Sequence, residues 1–182
     1  EFRSSIAISS SCEHCRSVVV RRGFQVETFG QVAELPPDLS PLQIGTQGRW
    51  QGRSFSLIGR MRLHYGDGSW TEWCADFGEG THGWLAEVMG FFMVSFVHSV
   101  KLPPLGENIP AGQILNIGGE AWRVTDVKTS QCIAAEGELP LVPPPGWSRT
   151  SVDLTGPEGH FGSIEISDDG QTSTELAGQN GA

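Results

Sequence analysis

The chain has 182 residues, 38% of them hydrophobic, and a formal net charge of −9. These proportions exclude a chain disordered throughout. The acidic balance, with its few Lys and Arg scattered along the chain, excludes the basic face that nucleic-acid phosphates require. Twenty-four glycines and eleven prolines are too many for long helices and fit short strands joined by frequent turns.

In chain order, a Ser-rich tract leads into Cys12-Glu13-His14-Cys15 and the apolar Val18-Val19-Val20. A Cys-x-x-Cys pair fits one knuckle of a zinc ribbon, a bystander thiol pair or a redox motif, the last lacking the βαβ pattern that accompanies it. A ribbon closes a zinc tetrahedron with two knuckles about 15 to 20 residues apart. Cys12 and Cys15 therefore supply half a site over residues 1–23, the expected partner knuckle lying upstream of Glu1. Zinc is expected only if that second cysteine pair comes from outside the chain, because His14, between the two cysteines, is badly placed to join. Residues 24–41 carry Pro36, Pro37 and Pro41 and read as a linker.

The domain proper is expected over 42–182. Phe55, Leu57, Met61, Leu63 and Tyr65 fall at every second position, interrupted by Gly59, as in a half-buried strand. Gly66-Asp67-Gly68, Gly78-Glu79-Gly80 and Gly90 then punctuate strands at Ser69–Phe77, Thr81–Met89 and Phe91–Val97. Gly45, Gly52, Phe55 and Leu57 recur at one offset as Gly112, Gly119, Trp122 and Val124, which predicts two related halves, 42–100 and 103–170, joined through Leu102-Pro103-Pro104-Leu105. A second proline-rich loop is expected at Leu141–Gly146. Strands are expected at Ser151–Leu154 and Phe161–Ile166, a turn at Asp168-Asp169-Gly170, and a frayed polar tail from Gln171. The fold class is all-β: two small meander or barrel-like halves after an N-terminal partial zinc-ribbon hairpin.

The segments Pro41-Leu42-Gln43-Ile44-Gly45, Phe55-Ser56-Leu57-Ile58-Gly59, Trp70-Thr71-Glu72-Trp73, Gly83-Trp84-Leu85-Ala86-Glu87 and Ala135-Glu136-Gly137-Glu138-Leu139-Pro140, behind the Cys-x-x-Cys, resemble the bacterial domain-of-unknown-function family 4178. The resemblance implies no activity. Members similar to this chain often carry a complete zinc ribbon, and the family's setting implies an accessory role beside membrane-stress or polyamine-linked proteins.

Glu72 and Asp76 share a strand face with Trp70 and Cys74, an arrangement that glycosidase-like acid and base chemistry could use but that solvated or hydrogen-bonded carboxylates also produce. Cys74 near His64 or His82 is a nucleophile–base candidate against the plainer reading of a small buried hydrophobe, and Cys132 reads as core. Trp73 and Trp84 are expected in the core with Phe55 and Leu57, and Glu72 held by a hydrogen bond. Trp50, Trp70 or Trp147 could form an aromatic binding face. The expected function is a non-enzymatic interaction or scaffold module for a protein partner. The alternative is a small-molecule hydrolase or binder whose Glu72, Asp76 and Glu136 line a cleft for a cationic ligand. The longest apolar run, Phe91–Val97, falls short of the roughly 18 residues a membrane span needs, and isolated cysteines suit the reducing cytoplasm.

Overall fold

The computed structural model describes residues 2–12, 14–22, 25–31, 40–66, 68–106, 108–142, 146–167 and 172–177. The chain is all-β. Its strands are β1 (Ser9–Ser11), β2 (Ser17–Arg22), β3 (Gln25–Gln31), β4 (Gln47–Trp50), β5 (Arg53–Tyr65), β6 (Gly68–Gly78), β7 (Thr81–Val88), β8 (Phe91–His98), β9 (Ile114–Ile117), β10 (Glu120–Leu139), β11 (Ser148–Thr155), β12 (Phe161–Ser167) and β13 (Thr172–Ala177). The helical content among the described residues is a single 3-10 turn at Pro157–Gly159.

The chain divides into two compact units, Glu1–Phe92 with Gln131–Trp147, and Met93–Ser130 with Ser148–Ala182. In the first, β5, β6 and β7 form an antiparallel meander and β4 pairs with β5. The C-terminal part of β10 pairs with β5 through Gln131↔His64 to Gly137↔Gly59. β1 joins β10 to the β2–β3 hairpin. Alternate residues of these strands meet in one core: Val18, Val20, Met61, Leu63, Cys74, Trp84, Cys132, Ala135 and Leu139. In the second unit β11, β12 and β13 form a meander that continues onto β8, and β9 pairs with the start of β10. Leu115, Ile117, Trp122, Val124, Val152, Leu154 and Ile164 form its core, flanked by Val100, Leu102, Leu105 and Ile109 from the proline-rich connection.

Two hairpins, one in each unit, share their geometry in detail. Gly45 N donates to Leu57 O at 2.7 Å and Leu57 N to Thr46 O at 2.9 Å; Gly112 N donates to Val124 O and Val124 N to Gln113 O, both at 2.8 Å. Gln47↔Ser56 through Trp50↔Arg53 in one corresponds to Ile114↔Arg123 through Ile117↔Glu120 in the other. Each ends in a turn with two positive φ angles, Gln51-Gly52 and Gly118-Gly119, as a tight hairpin requires.

Several expectations need correction. Residues 25–31, expected within a linker, are strand β3, because main-chain pairing with β2 outweighs their polar composition; 32–39 lie outside the described residues. The tail expected to fray from Gln171 instead forms β13 over 172–177, paired with β12 and β8. Phe55 is half-buried, not core: its ring lies over Gly48, where a Cβ would be 2.5 Å away, and is tilted against Phe77 at 5.4 Å. The turns expected at Asp67 and Asp168-Asp169-Gly170 involve residues outside those described.

Candidate functional site

Glu72, Asp76 and Glu136 are each engaged. Trp70 Nε1 donates to Glu72 Oε1 at 2.9 Å, and Glu72 is buried, its carboxylate set against an indole as a covered charge requires. Asp76 accepts from Ser4 Oγ at 2.6 Å and from Gly78 N at 2.8 Å. Glu136 accepts from Arg60 Nε at 2.8 Å, and the Arg60 guanidinium stacks 4.9 Å from the Trp73 ring. The register separates them: Glu136, Arg60 and Trp73 stand opposite one another across β10, β5 and β6, whereas Glu72 stands opposite Met61 and Ala135. Residues directly opposite share a face and successive residues alternate. Glu72 and Glu136 therefore point to opposite faces of the sheet. An acidic cleft built from all three is not assembled.

Trp73 and Trp84 are buried, and Trp73 Nε1 donates to Glu87 Oε2 at 2.9 Å. Trp70 and Trp147 are half-buried and pack against the core of the first unit, while Trp50 sits half-buried beside the Gln51-Gly52 turn. Cys74 is fully buried, and burial, with Asp76 and Glu138 adding repulsion, pushes its thiol far above the usual range. A nucleophile needs the opposite shift. His82, opposite Asp76, is held below its usual value by burial, which Asp76 partly offsets.

Cys12 and Cys15 lie on the turn between β1 and β2. Arg16 N donates to Cys12 O at 2.8 Å and Cys12 N to Ser17 O at 2.9 Å. The Cys15 thiol contacts Ser17 Oγ at 3.3 Å. This contact first, then the Ser17 backbone and the neighbouring Cys12 thiol, holds Cys15 below the usual thiol range. Among the described residues no group of three His, Cys, Asp or Glu is placed to hold a metal. The donor set suits zinc, but it supplies half a tetrahedron.

Three features escaped the sequence reading. The first is a carboxylate anchor: Glu138 is buried and accepts from Arg3 N at 2.7 Å and Ser4 N at 2.8 Å, one amide per oxygen. The second is a buried polar face in the second unit, where Arg149 Nε lies 3.0 Å from Glu165 Oε2 and Ser151 and Ser163 each donate to Glu165 at 2.6 Å. Its signal was the alternation of Arg149, Ser151 and Asp153 with Thr150, Val152 and Leu154. The third is the exposure of the apolar residues around the β7–β8 turn, a turn that the sequence places at Gly90. Met89 and Gly90 both have positive φ, 49° and 81°, and Val88, Met89, Phe91 and Phe92 are 39%, 92%, 76% and 47% exposed. An open groove of about 570 Å³ also lies along β4, β5 and β6, lined by Arg49, Ser54, Phe55, Ser56, Asp76 and Phe77 among others.

The family described as Domain of unknown function (DUF4178) matches residues 43–178. The chain belongs to that family. No curated protein and no solved structure matches it. The match spans β4 through β13, leaving β1–β3 and the cysteine pair outside the family's extent. No helix among the described residues is long and apolar enough to cross a membrane.

Proposed function

We propose that this DUF4178 chain is a non-enzymatic interaction module that docks a protein partner through the β7–β8 turn. The observation that carries this reading is Met89. Among the described residues four other turns have two successive positive φ angles, at Gln51-Gly52, Glu79-Gly80, Gly118-Gly119 and Glu158-Gly159. Their leading positions hold Gln, Glu and Gly, residues suited to water or to that backbone; here the same strained position holds a methionine that is 92% exposed. Phe91 and Phe92 follow it, and as successive strand residues they point to opposite faces. A flat surface would cover one of them, whereas an apolar pocket in a protein covers both. The net charge of −9 opposes approach to an anionic lipid surface.

The two matched hairpins, Gly45–Leu57 and Gly112–Val124, support reading the halves 42–100 and 103–170 as related units. Cys12 and Cys15 are read as one zinc knuckle whose other donors come from outside the chain, and the cytoplasm as the compartment that keeps them reduced. An accessory role in a bacterial membrane-stress or polyamine-linked system is the setting the family resemblance suggests.

The test is site-specific photo-crosslinking from position 89 in the native host, with the chain's fold checked by denaturation. The expected result is one discrete protein adduct, competed away by wild-type chain and not by a Phe91→Asp chain of equal stability. Lipid adducts alone, an unresolved smear, or equal competition by Phe91→Asp would overturn the reading.

A further inference from the structure

None of the four cysteines is in a disulfide, and they fall into two classes: Cys74 and Cys132 are buried in the core, Cys15 is exposed and Cys12 is half-exposed. The last two share a turn already closed by Arg16 N to Cys12 O and Cys12 N to Ser17 O. Residues three apart in a closed turn have Cα atoms less than about 7 Å apart, close to the roughly 4.4–6.8 Å that a disulfide spans. The turn is fixed on both sides. Ser9 pairs with Leu139 and Val20, Ser11 pairs with Val18, and Val18 and Val20 lie in the core.

We propose that Cys12 and Cys15 form a reversible dithiol–disulfide switch that exchanges with small disulfides such as oxidised glutathione, Cys15 attacking first and Cys12 resolving. In the first step the Cys15 sulfur bonds to one sulfur of the small disulfide, the S–S bond breaks, and the other half leaves as a thiol carrying the proton that Cys15 gives up. In the second the Cys12 sulfur attacks the Cys15 sulfur, forming the intrachain disulfide and releasing the second small thiol. Two protein thiols are oxidised and one small disulfide is reduced. Exposure sets the order, since Cys15 meets solvent more fully than Cys12. The ring is short, so its closure restricts the unfolded chain little and stabilises the fold weakly. Such a bond is labile, as a switch requires and a structural staple does not. The inference does not depend on the docking reading above, and it holds whether or not zinc binds the reduced pair, whose metal content is measured separately.

The experiment treats the full chain with oxidised and then excess reduced glutathione, followed by intact mass and peptide mapping. The expected products are a Cys12–Cys15 disulfide in a monomer with Cys74 and Cys132 unmodified, and recovery of both thiols on reduction. Cys12→Ser should stop at glutathione bound to Cys15, and Cys15→Ser should react at Cys12 at least about tenfold more slowly, as exposure governs access. Modification of Cys12 ahead of Cys15, a mixed disulfide that persists in the wild type, chain-to-chain dimers through Cys15, or a disulfide that resists reduced glutathione would each overturn the proposal.

Discussion

Removing the Glu138 carboxylate tests whether the N-terminal segment is held by the fold or merely rests on it. Glu138 is 8% exposed and its two oxygens accept the amides of Arg3 and Ser4 at 2.7 and 2.8 Å. Ser4 Oγ donates to Asp76, and Ile8 N donates to Leu139 O at 2.9 Å. Hydrogen bonds to a charged acceptor contribute about 1.5–3 kcal/mol each, and a buried amide left without a partner costs about 1–3 kcal/mol. Glu138→Ala loses both bonds, but Arg3 is exposed and water can reach its amide, so the lower values apply. The expected loss is about 3 kcal/mol. Glu138→Gln keeps one acceptor oxygen and turns its NH2 group toward an amide donor, giving roughly half that loss. Urea denaturation reads the stability, and hydrogen exchange at the Arg3 and Ser4 amides reads the anchor directly. Both amides should exchange faster in either variant while those of β6 keep their order of protection. A stability change under about 0.5 kcal/mol with unaltered exchange at Arg3 and Ser4 would refute the reasoning, since that is the range of an ordinary surface substitution.

Two further outcomes follow from other parts of the fold. A Cβ at Gly59 would lie 2.2 Å from Glu138 O, and one at Gly137 2.5 Å from Ile58 O; with backbone on both sides nothing flexible can yield, so Gly59→Ala should cost about 3 kcal/mol or more in denaturation experiments, and a neutral result would mean that β5 and β10 cross less closely. Burial raises the Asp153 carboxyl above its ordinary range, with Asp126 adding to the shift and Lys128, Ser163 and Arg149 opposing it. The folded pKa exceeds the unfolded one, so ionised Asp153 disfavours the folded state at neutral pH, and acidification through the folded pKa relieves that cost. Asp153→Asn should therefore be more stable than wild type near neutrality, with the advantage shrinking as pH falls toward the ordinary Asp value of about 3.9; a difference constant across that range would count against it.

Much of the fold was legible because strands declare themselves by alternation and hairpins by glycine. Met61 and Leu63, both fully buried, lie at alternate positions of β5, and the Gly78–Gly80 and Gly90 turns bound β7 as the sequence indicates. What failed did so for one physical reason. β3 and β13 carry sparse or weak apolar patterns, and they are strands because neighbouring main chains offer them hydrogen bonds. Each forms a hairpin with the strand before it, so its strand character comes from main-chain pairing that side-chain patterning does not report. The exposure of Met89 and Phe91 was missed for the converse reason: a short apolar run reads as buried even where the turn inside it is recognised.

The carboxylates show most sharply where counting residues stops being a guide. Parity along β10 would send Glu136 and Glu138 to the same face, as it sends Glu72, Cys74 and Asp76 on β6. Between the first two stands Gly137, whose φ of 76° interrupts the alternation and whose lack of a side chain lets the strand lie against Gly59. Glu136 stays with Arg60 beside Trp73. Glu138 turns instead to the amides of Arg3 and Ser4, the residue whose hydroxyl Asp76 also holds. Thus Gly137 sends Glu136 and Glu138 to different partners, while the register separates Glu136 from Glu72 in the cleft that the sequence suggested. One of the pair braces a cation on the sheet and the other ties down the chain's N-terminal segment. Glu72, Asp76, Glu136 and Glu138 are each committed to a protein partner, and Met89 and Phe91 are the most exposed large apolar side chains among the described residues, which is the ground on which docking is proposed there.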